Sequence, residues 1–593
     1  MANGVVSATM ESTVQYILDL KPNWTRVVIS TLCGTCLIGL LVKWIHRVRA
    51  DSLILKARNR RETNLLQAEE VVRDYNDSHP GAYGCLIHSL SARQLTLSLK
   101  EGSLVPEDVL FSYMTKALEA NKRLNCCTEI MMESLNHSKS MDSYKDGLLY
   151  GVPVSIKDNV GCKGYDSTCG LLCRLNQPAL EDSVIVEVLR RQGAIPFVKT
   201  NVPQSLMSYE CSNPIYGTCV NPHNPKKTPG GSSGGEGALI KGGGSLLGIG
   251  TDIGGSIRIP CSFSGICGLK PTCNRLSTKG ISSSVKGQTS VKTSVGPMAR
   301  DVDSLALCMQ ALLSDHMFTL DPTVPPIPFN TEVYQSSKPL RIGYYENDGY
   351  QHPSPSMLRG VREVKALLER AGHTFVAFKP LKMEYAMNDL IIKAFFSDGS
   401  STLLKAFERS PLDPTISFPI KVCRLPYVLK KILSVLLKPL FPRVAKNLGL
   451  LGGLGSVQQQ WELDVAIQEY IRETIDEWKR CDLDVLLCPV IGPAFNHNYS
   501  AKLVCALSST LLFNLLSFPA GVVPVSSVTP ADEILLKQFK GNFQDLWDRE
   551  FVQAVKGGEG LPVAVQCVAL PWQEELCLRF MKEVETLVGE SRP

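Results

Sequence analysis

Between residues 230 and 258 glycine and serine recur so densely that backbone, not side chains, must do the packing there. The first run is Gly230-Gly231-Ser232-Ser233-Gly234-Gly235-Glu236-Gly237; the second is Gly250-Thr251-Asp252-Ile253-Gly254-Gly255-Ser256-Ile257-Arg258. Without a Cβ, glycine reaches dihedrals and close approaches that other residues cannot, so both runs belong where the chain turns tightly against other backbone. The second run leaves Ser256 among glycines whose N–H groups can converge on one point, and the first adds another hydroxyl. Upstream, Val154-Ser155-Ile156-Lys157-Asp158-Asn159 contributes a lysine. Together these are the parts of a serine hydrolase that works without histidine.

A serine hydroxyl needs a base before it can attack. None of the nine histidines stands in a recognisable motif. Lysine serves if it is neutral, and moving its pKa from ~10.4 toward 7 or 8 takes roughly 3 to 4 kcal/mol of burial or nearby positive charge. Lys157 follows the apolar run 151–156, which reads as a strand, and so sits at a strand end, where sites gather in α/β folds. The N–H groups of Ile253, Gly254, Gly255 and Ser256 are candidate donors to the oxyanion that forms when a carbonyl is attacked. Phosphate-binding patterns fail: Lys241 is followed by Gly242, and the sixth position of a dinucleotide fingerprint starting at Gly248 is Ile253. Gly231–Gly235 also matches a nucleophile elbow centred on Ser233, without a placed histidine or acid. No His, Cys and carboxylate cluster has metal-ligand spacing, so no metal or cofactor is expected.

Of the 593 residues, 44% are hydrophobic and 20% charged, the composition of a globular chain. A net charge of +5 gives no reason to expect nucleic acid. Twenty cysteines scattered through apolar sequence read as reduced thiols of a cytosol-facing body. After a short tail (1–26), residues 27–45 form an apolar run with no charge before Lys43, which reads as one transmembrane signal anchor. Lys43, His46, Arg47, Arg49, Lys56, Arg58, Arg60 and Arg61 follow it, which places the C-terminal side in the cytoplasm. Residues 46–89 read as a basic helical linker, with helix from Asp51 to the breaker His79-Pro80-Gly81, and 90–593 as one α/β body. Within the body 183–192 reads as a helix, and 194–198 and 484–489 as strands. Residues 321–330 read as an extended loop whose Pro325–Pro328 is either a connector or an SH3-type ligand. In 424–444 Leu425, Val428, Leu429, Ile432, Val435 and Leu436 cover most of a helix, Lys430, Lys431, Ser434 and Lys438 form a narrow stripe, and Pro439 and Pro442 break it. Composition leaves insertion into one leaflet and a core helix equally open.

The two glycine-serine runs, with 265–272, 518–525 and 560–566, resemble the amidase signature family over roughly residue 90 to the C-terminus. Within it, 437–443 and 566–580 resemble the membrane-anchored members that act on lipid amides. The resemblance implies an α/β/α sandwich with a mixed central sheet, an N-terminal transmembrane helix and a monotopic helical cap at 424–444. It implies Ser256 as nucleophile, Ser232 (after a cis peptide bond) as the bridging hydroxyl and Lys157 as base and then acid. Ser233 would support the network and Arg258 would orient the loop. Tyr350, Phe396, Phe441 and Trp547 fall at acyl-channel positions, and Met207 stands where phenylalanine is common. The implied activity is hydrolysis of long-chain fatty acid amides, such as N-acylethanolamines and oleamide, through an acyl-serine. The implied setting is a homodimer on an endomembrane, with the endoplasmic reticulum expected. The alternatives are a glutamine-using amidotransferase subunit and a catalytically silent lipid-binding scaffold.

Overall fold

The computed structural model describes residues 15, 24–79, 84–408, 410–439, 441–503 and 506–591. Thirteen strands follow in chain order: β1 (Cys127–Ile130), β2 (Pro153–Lys157), β3 (Ile195–Thr200), β4 (Ser212–Asn213), β5 (Gly217–Thr218), β6 (Leu247–Asp252), β7 (Cys267–Lys270), β8 (Ser294–Ala299), β9 (Arg341–Tyr344), β10 (Thr374–Ala377), β11 (Val485–Pro489), β12 (Ala520–Ser527) and β13 (Pro562–Val568). Eleven of them make one sheet in the order β1-β3-β2-β6-β8-β7-β12-β13-β11-β9-β10, while β4 and β5 pair separately. The sheet is mixed: β3, β2 and β6 run parallel, as do β11, β9 and β10, and the pairs between β6 and β11 are antiparallel.

Strands β2, β3, β6, β11 and β13 are buried along their whole length, the pattern of a sheet covered on both faces. Two glycines show the layers. Gly268 of β7 pairs with Val522, and a Cβ on it would meet Cys261 of the helix Arg258–Ser264. Gly521, the next residue along β12, would meet Met581 of the helix Glu574–Glu590. Successive strand residues face opposite sides, so these two helices cover opposite faces. The expected strands are present with small changes of boundary, and 183–192 becomes the helix Val184–Arg191 with Ser183 accepting from the Val186 N–H. Lys157 is the last residue of β2.

The N-terminal region is one helix, Trp24–Ser78, not an anchor followed by a separate linker helix. Its most apolar stretch has a mean hydropathy of 1.9 and is wholly exposed; among the described residues it is the one helix long and apolar enough to cross a membrane. Beyond it the helix docks on the body. Ala50, Ile54 and Ala57 pack with Leu172, Leu175, Ile215 and Tyr216. Arg58 donates to the Ile215 carbonyl (2.8 Å), Arg60 pairs with Asp166 (2.9 Å), and Arg61 reaches Asn125 Oδ1 (2.7 Å) and the Cys127 carbonyl (2.5 Å). The last three arginines of the basic flank are thus docking groups. Pro80 and Gly81 lie outside the described residues. In 321–330 Pro326, Ile327 and Pro328 are exposed, and Arg275 donates to the Ile327 carbonyl.

The segment 424–444 is two helices, Tyr427–Leu437 and Pro442–Leu450, with Leu440 outside the described residues. Its amphipathicity is inverted relative to that of a soluble surface helix. Lys430 is only 4% exposed and donates to the Leu451 carbonyl (3.1 Å), and Ser434 donates to the Ala445 carbonyl (2.6 Å). Val435 and Leu436 are 72% and 66% exposed, with Val428 and Ile432 beside them. Lys430 and Ser434 of the polar stripe therefore hold the hairpin together, Lys431 and Lys438 stay exposed, and the apolar face looks outward, which excludes a core helix.

Arg61→Ala should destabilise the protein by about 2 kcal/mol, because it strips donors from several partly buried acceptors. Arg73→Ala, at a pair exposed on both sides, should stay within about 0.5 kcal/mol. Denaturant midpoints of the two variants check the docking.

Candidate active site

Parallel pairing of β2 with β6 brings Lys157 and Thr251 to the same edge of the sheet, each at or near its strand's C-terminal end. Lys157 has no exposed surface. Its Nζ lies 2.8 Å from Ser232 Oγ, 2.9 Å from Thr251 Oγ1 and 3.2 Å from the Thr251 carbonyl. Removal from water pushes the ammonium down to about 7, against the opposing pull of Asp252. Ser232 follows a cis peptide bond from Gly231, as the resemblance implies, and leads into the helix Gly234–Lys241.

The second glycine run is wound around Asp252. Its carboxylate accepts from the N–H of Gly255 (2.7 Å) and of Ile257 (3.1 Å), from Arg258 Nε (3.1 Å) and from Asn514 Nδ2 (2.9 Å). The Arg258 guanidinium, also without exposed surface, closes an ion pair with it (3.0 Å) and holds it well below the usual carboxylate range. Arg258 further reaches Gln566 Oε1 (2.8 Å), Asn514 Oδ1 (2.6 Å) and the Thr510 carbonyl (2.9 Å). Gly255 has φ of +120°, and a Cβ there would sit 2.5 Å from Thr510 Oγ1, so glycine is required twice over. One expected donor is otherwise engaged, since the Gly255 N–H is spent on Asp252; of the four candidates Ile253, Gly254 and Ser256 remain.

Ser256 is partly exposed and lines a cavity of about 360 Å³ together with Ser232, Thr251, Ile253 and Met207. Asn274, Lys286, Gln288 and Lys292 also line it, interspersed with Leu206, Ile281 and Val285. Ser233 is sealed: it has no exposed surface, its Oγ is 3.4 Å from the Thr251 carbonyl, and its N–H donates to the Ser256 carbonyl (3.0 Å). The nucleophile-elbow pattern therefore marks a supporting position.

Comparison with known proteins fits this arrangement. The amidase family model matches residues 108–578. The chain belongs to the amidase family. It is 49% identical to fatty-acid amide hydrolase 1 of Sus scrofa, across 95% of this chain and 97% of the other. It is 50% identical to the vitamin D3 hydroxylase-associated protein of Gallus gallus, across 76% and 97%. A solved structure of a fatty acid amide hydrolase superposes with a TM-score of 0.76 at 25% identity, covering 92% of this chain and 96% of that one.

Of the expected channel residues of this amidase, only Met207 lines the cavity that holds the serines. Phe396 packs in the same apolar cluster as Met207. Tyr350 and Trp547 instead surround Arg443, whose guanidinium lies 6.0 and 5.2 Å from their ring centres and 4.3 Å from that of Phe543. Arg443 also pairs with Asp545 and Asp548 (3.0 Å to the latter), which ties the cap to the helix Leu546–Val555. Phe441 opens the second cap helix, half-buried. The residues that sequence reasoning left out are Asp252, Asn514 and Gln566. The signal for Asp252 was present: an acid and an arginine bracket the glycines of one short run.

Asp252→Ala should cost about 3 to 5 kcal/mol by leaving Arg258 buried without its partner. A denaturation midpoint close to wild type would show that the pair does not hold the loop.

Proposed function

We propose that this amidase hydrolyses long-chain fatty acid amides at a membrane surface by a Ser256–Ser232–Lys157 relay. The observation that carries the reading is a fully buried lysine 2.8 Å from Ser232 Oγ, on the wall of the cavity that Ser256 also lines. Neutral Lys157 takes the proton of Ser232, Ser232 takes that of Ser256, and Ser256 Oγ attacks the carbonyl carbon. The N–H groups of Ile253, Gly254 and Ser256 face the oxygen as it becomes anionic. The proton returns through Ser232 to the leaving nitrogen, which departs poorly as an anion, and water cleaves the acyl-serine. Arg258, acting through Asp252, keeps the donors in place, and Ser233 braces the turn.

The lipid substrate class comes from the 49% identical relative's name and from the molecule's surface. Two separate apolar surfaces face outward, the N-terminal helix and the cap hairpin. We read the first as a spanning anchor and the second as a monotopic cap at one leaflet, with the catalytic body on the cytoplasmic side of an endomembrane. Tyr350, Phe396, Phe441 and Trp547 belong, on this reading, to the path between cap and cavity. A homodimer is part of the same proposal.

Detergent-solubilised protein should release oleic acid from oleamide, and Ser256→Ala should abolish the release. Turnover that survives Ser256→Ala assigns the nucleophile elsewhere. Lys157→Ala should lose far more amide than matched ester hydrolysis, because an ester needs less protonation of its leaving group. Since the neutral amine is the base, kcat/KM should rise through about pH 7 and level off above it. A rate that falls from pH 6 to 9 removes Lys157 from the role. Val435→Glu with Leu436→Glu should weaken sedimentation with phospholipid vesicles while hydrolysis of a short soluble amide is retained.

A further inference from the structure

One carboxylate close to Lys157 takes no part in the proposed relay. Glu236 has no exposed surface and comes from the first turn of the helix Gly234–Lys241, four residues after Ser232. Ser155 Oγ donates to one of its oxygens at 2.5 Å and Thr200 Oγ1 to the other at 2.8 Å. Ser155 and Lys157 are alternate residues of β2 and share a face of the sheet. Thr200 is the β3 residue paired with Lys157. Gly248 of β6, paired with Ser155, completes the recess, since a Cβ there would overlap the Glu236 carboxylate. Three adjacent strands thus close on this one acid, on the sheet face that carries Lys157, near enough for the two charges to act on each other without forming an ion pair.

We infer that Glu236 is a positioning residue of the amidase reaction, which bolts the Ser232 turn to the Lys157 strand and whose charge sets the pH at which Lys157 becomes a base. The inference rests on Lys157 being that base. Burial pushes the Glu236 carboxyl up to about 7, with Lys157 and the two hydroxyl donors pulling it back. The charged and titratable groups facing the pair are few. Asp252 at the end of β6 stays ionised, held by Arg258 with Lys270 nearby. The thiols of Cys169 and Cys261 are pushed up by burial, and that of Cys127 by its contact with Cys126 and by burial, so all three remain neutral; Cys211 also faces the lysine. Against that background burial brings Glu236 and Lys157 into the same pH range, and each feels the other's charge.

The test is the pH dependence of kcat/KM on oleamide for the full-length detergent-solubilised protein, comparing wild type with Glu236→Gln and Thr200→Val. An anion beside an ammonium favours its protonated form, so removing the anion lets Lys157 lose its proton at lower pH. Glu236→Gln should shift the acidic limb down by about half a unit or more. Thr200→Val removes a donor that keeps the carboxylate ionised and should shift the limb the same way, by less. Circular dichroism and labelling of Ser256 by a fluorophosphonate establish that each variant is folded. A lower rate with the limb unmoved in the folded variants would reduce Glu236 to a structural role and overturn the inference. If Glu236→Gln does not fold, Thr200→Val decides alone. An acidic limb that persists in residual Lys157→Ala activity would overturn the underlying assignment of the base, and this inference with it.

Discussion

The ion pair between Asp252 and Arg258 is the interaction on which the site depends. Both side chains are completely buried, a position in which desolvation offsets most of what the pair gains. An apolar pair of similar volume would serve stability as well. It could not accept two backbone N–H groups from a glycine loop while its partner reaches a strand and a neighbouring helix. Through Gln566 and Asn514 the pair joins β6, β13 and the helix Ser508–Leu515, and through the Gly255 and Ile257 N–H groups it bends the chain that carries Ser256. The charge is spent on shape.

The same dryness has the opposite effect on Lys157. Asp252 keeps its charge because backbone N–H groups, a guanidinium and a side-chain amide converge on it, whereas the lysine has only hydroxyls and one carbonyl and its pKa falls to about 7. The two groups lie toward the ends of the adjacent strands β2 and β6 and are equally buried; desolvation wins at Lys157, whereas at Asp252 the donors and the Arg258 charge outweigh it. Glycine makes this possible. Only residues without side chains let the two loops, three strands and a helix terminus approach within hydrogen-bonding distance of one another.

Much of this was legible in the sequence. The Gly-Ser runs, Lys157 at a strand end and the long apolar N-terminal helix are local patterns, written in neighbouring residues. The 183–192 helix and 484–489 strand needed only periodicity. What could not be read is what depends on distant pairing. Nothing local says that Arg258 would meet Gln566 across 308 positions, or Asn514 across 256. The cap was ambiguous for a related reason. A helix with one narrow polar stripe has the same composition whether the stripe faces inward or outward, and Lys430 and Ser434 face inward because a second helix offers them carbonyl acceptors. Arg58, Arg60 and Arg61 read as a topological flank because charge counting cannot see the acceptors on the body.

The continuity of the N-terminal helix has a mechanical consequence. The apolar stretch ends near residue 45 and the first docked residue is Ala50. At 1.5 Å per residue that leaves roughly 7 Å of unsupported helix, less than its own diameter. Such a stub neither swings nor twists freely. The body is mounted like a fitting welded to a post, not tethered like a balloon, so on the proposed reading of the helix as an anchor its tilt in a bilayer would set the attitude of the whole enzyme. On the proposed reading of the hairpin as a cap, lengthening the post would lift it away from the leaflet.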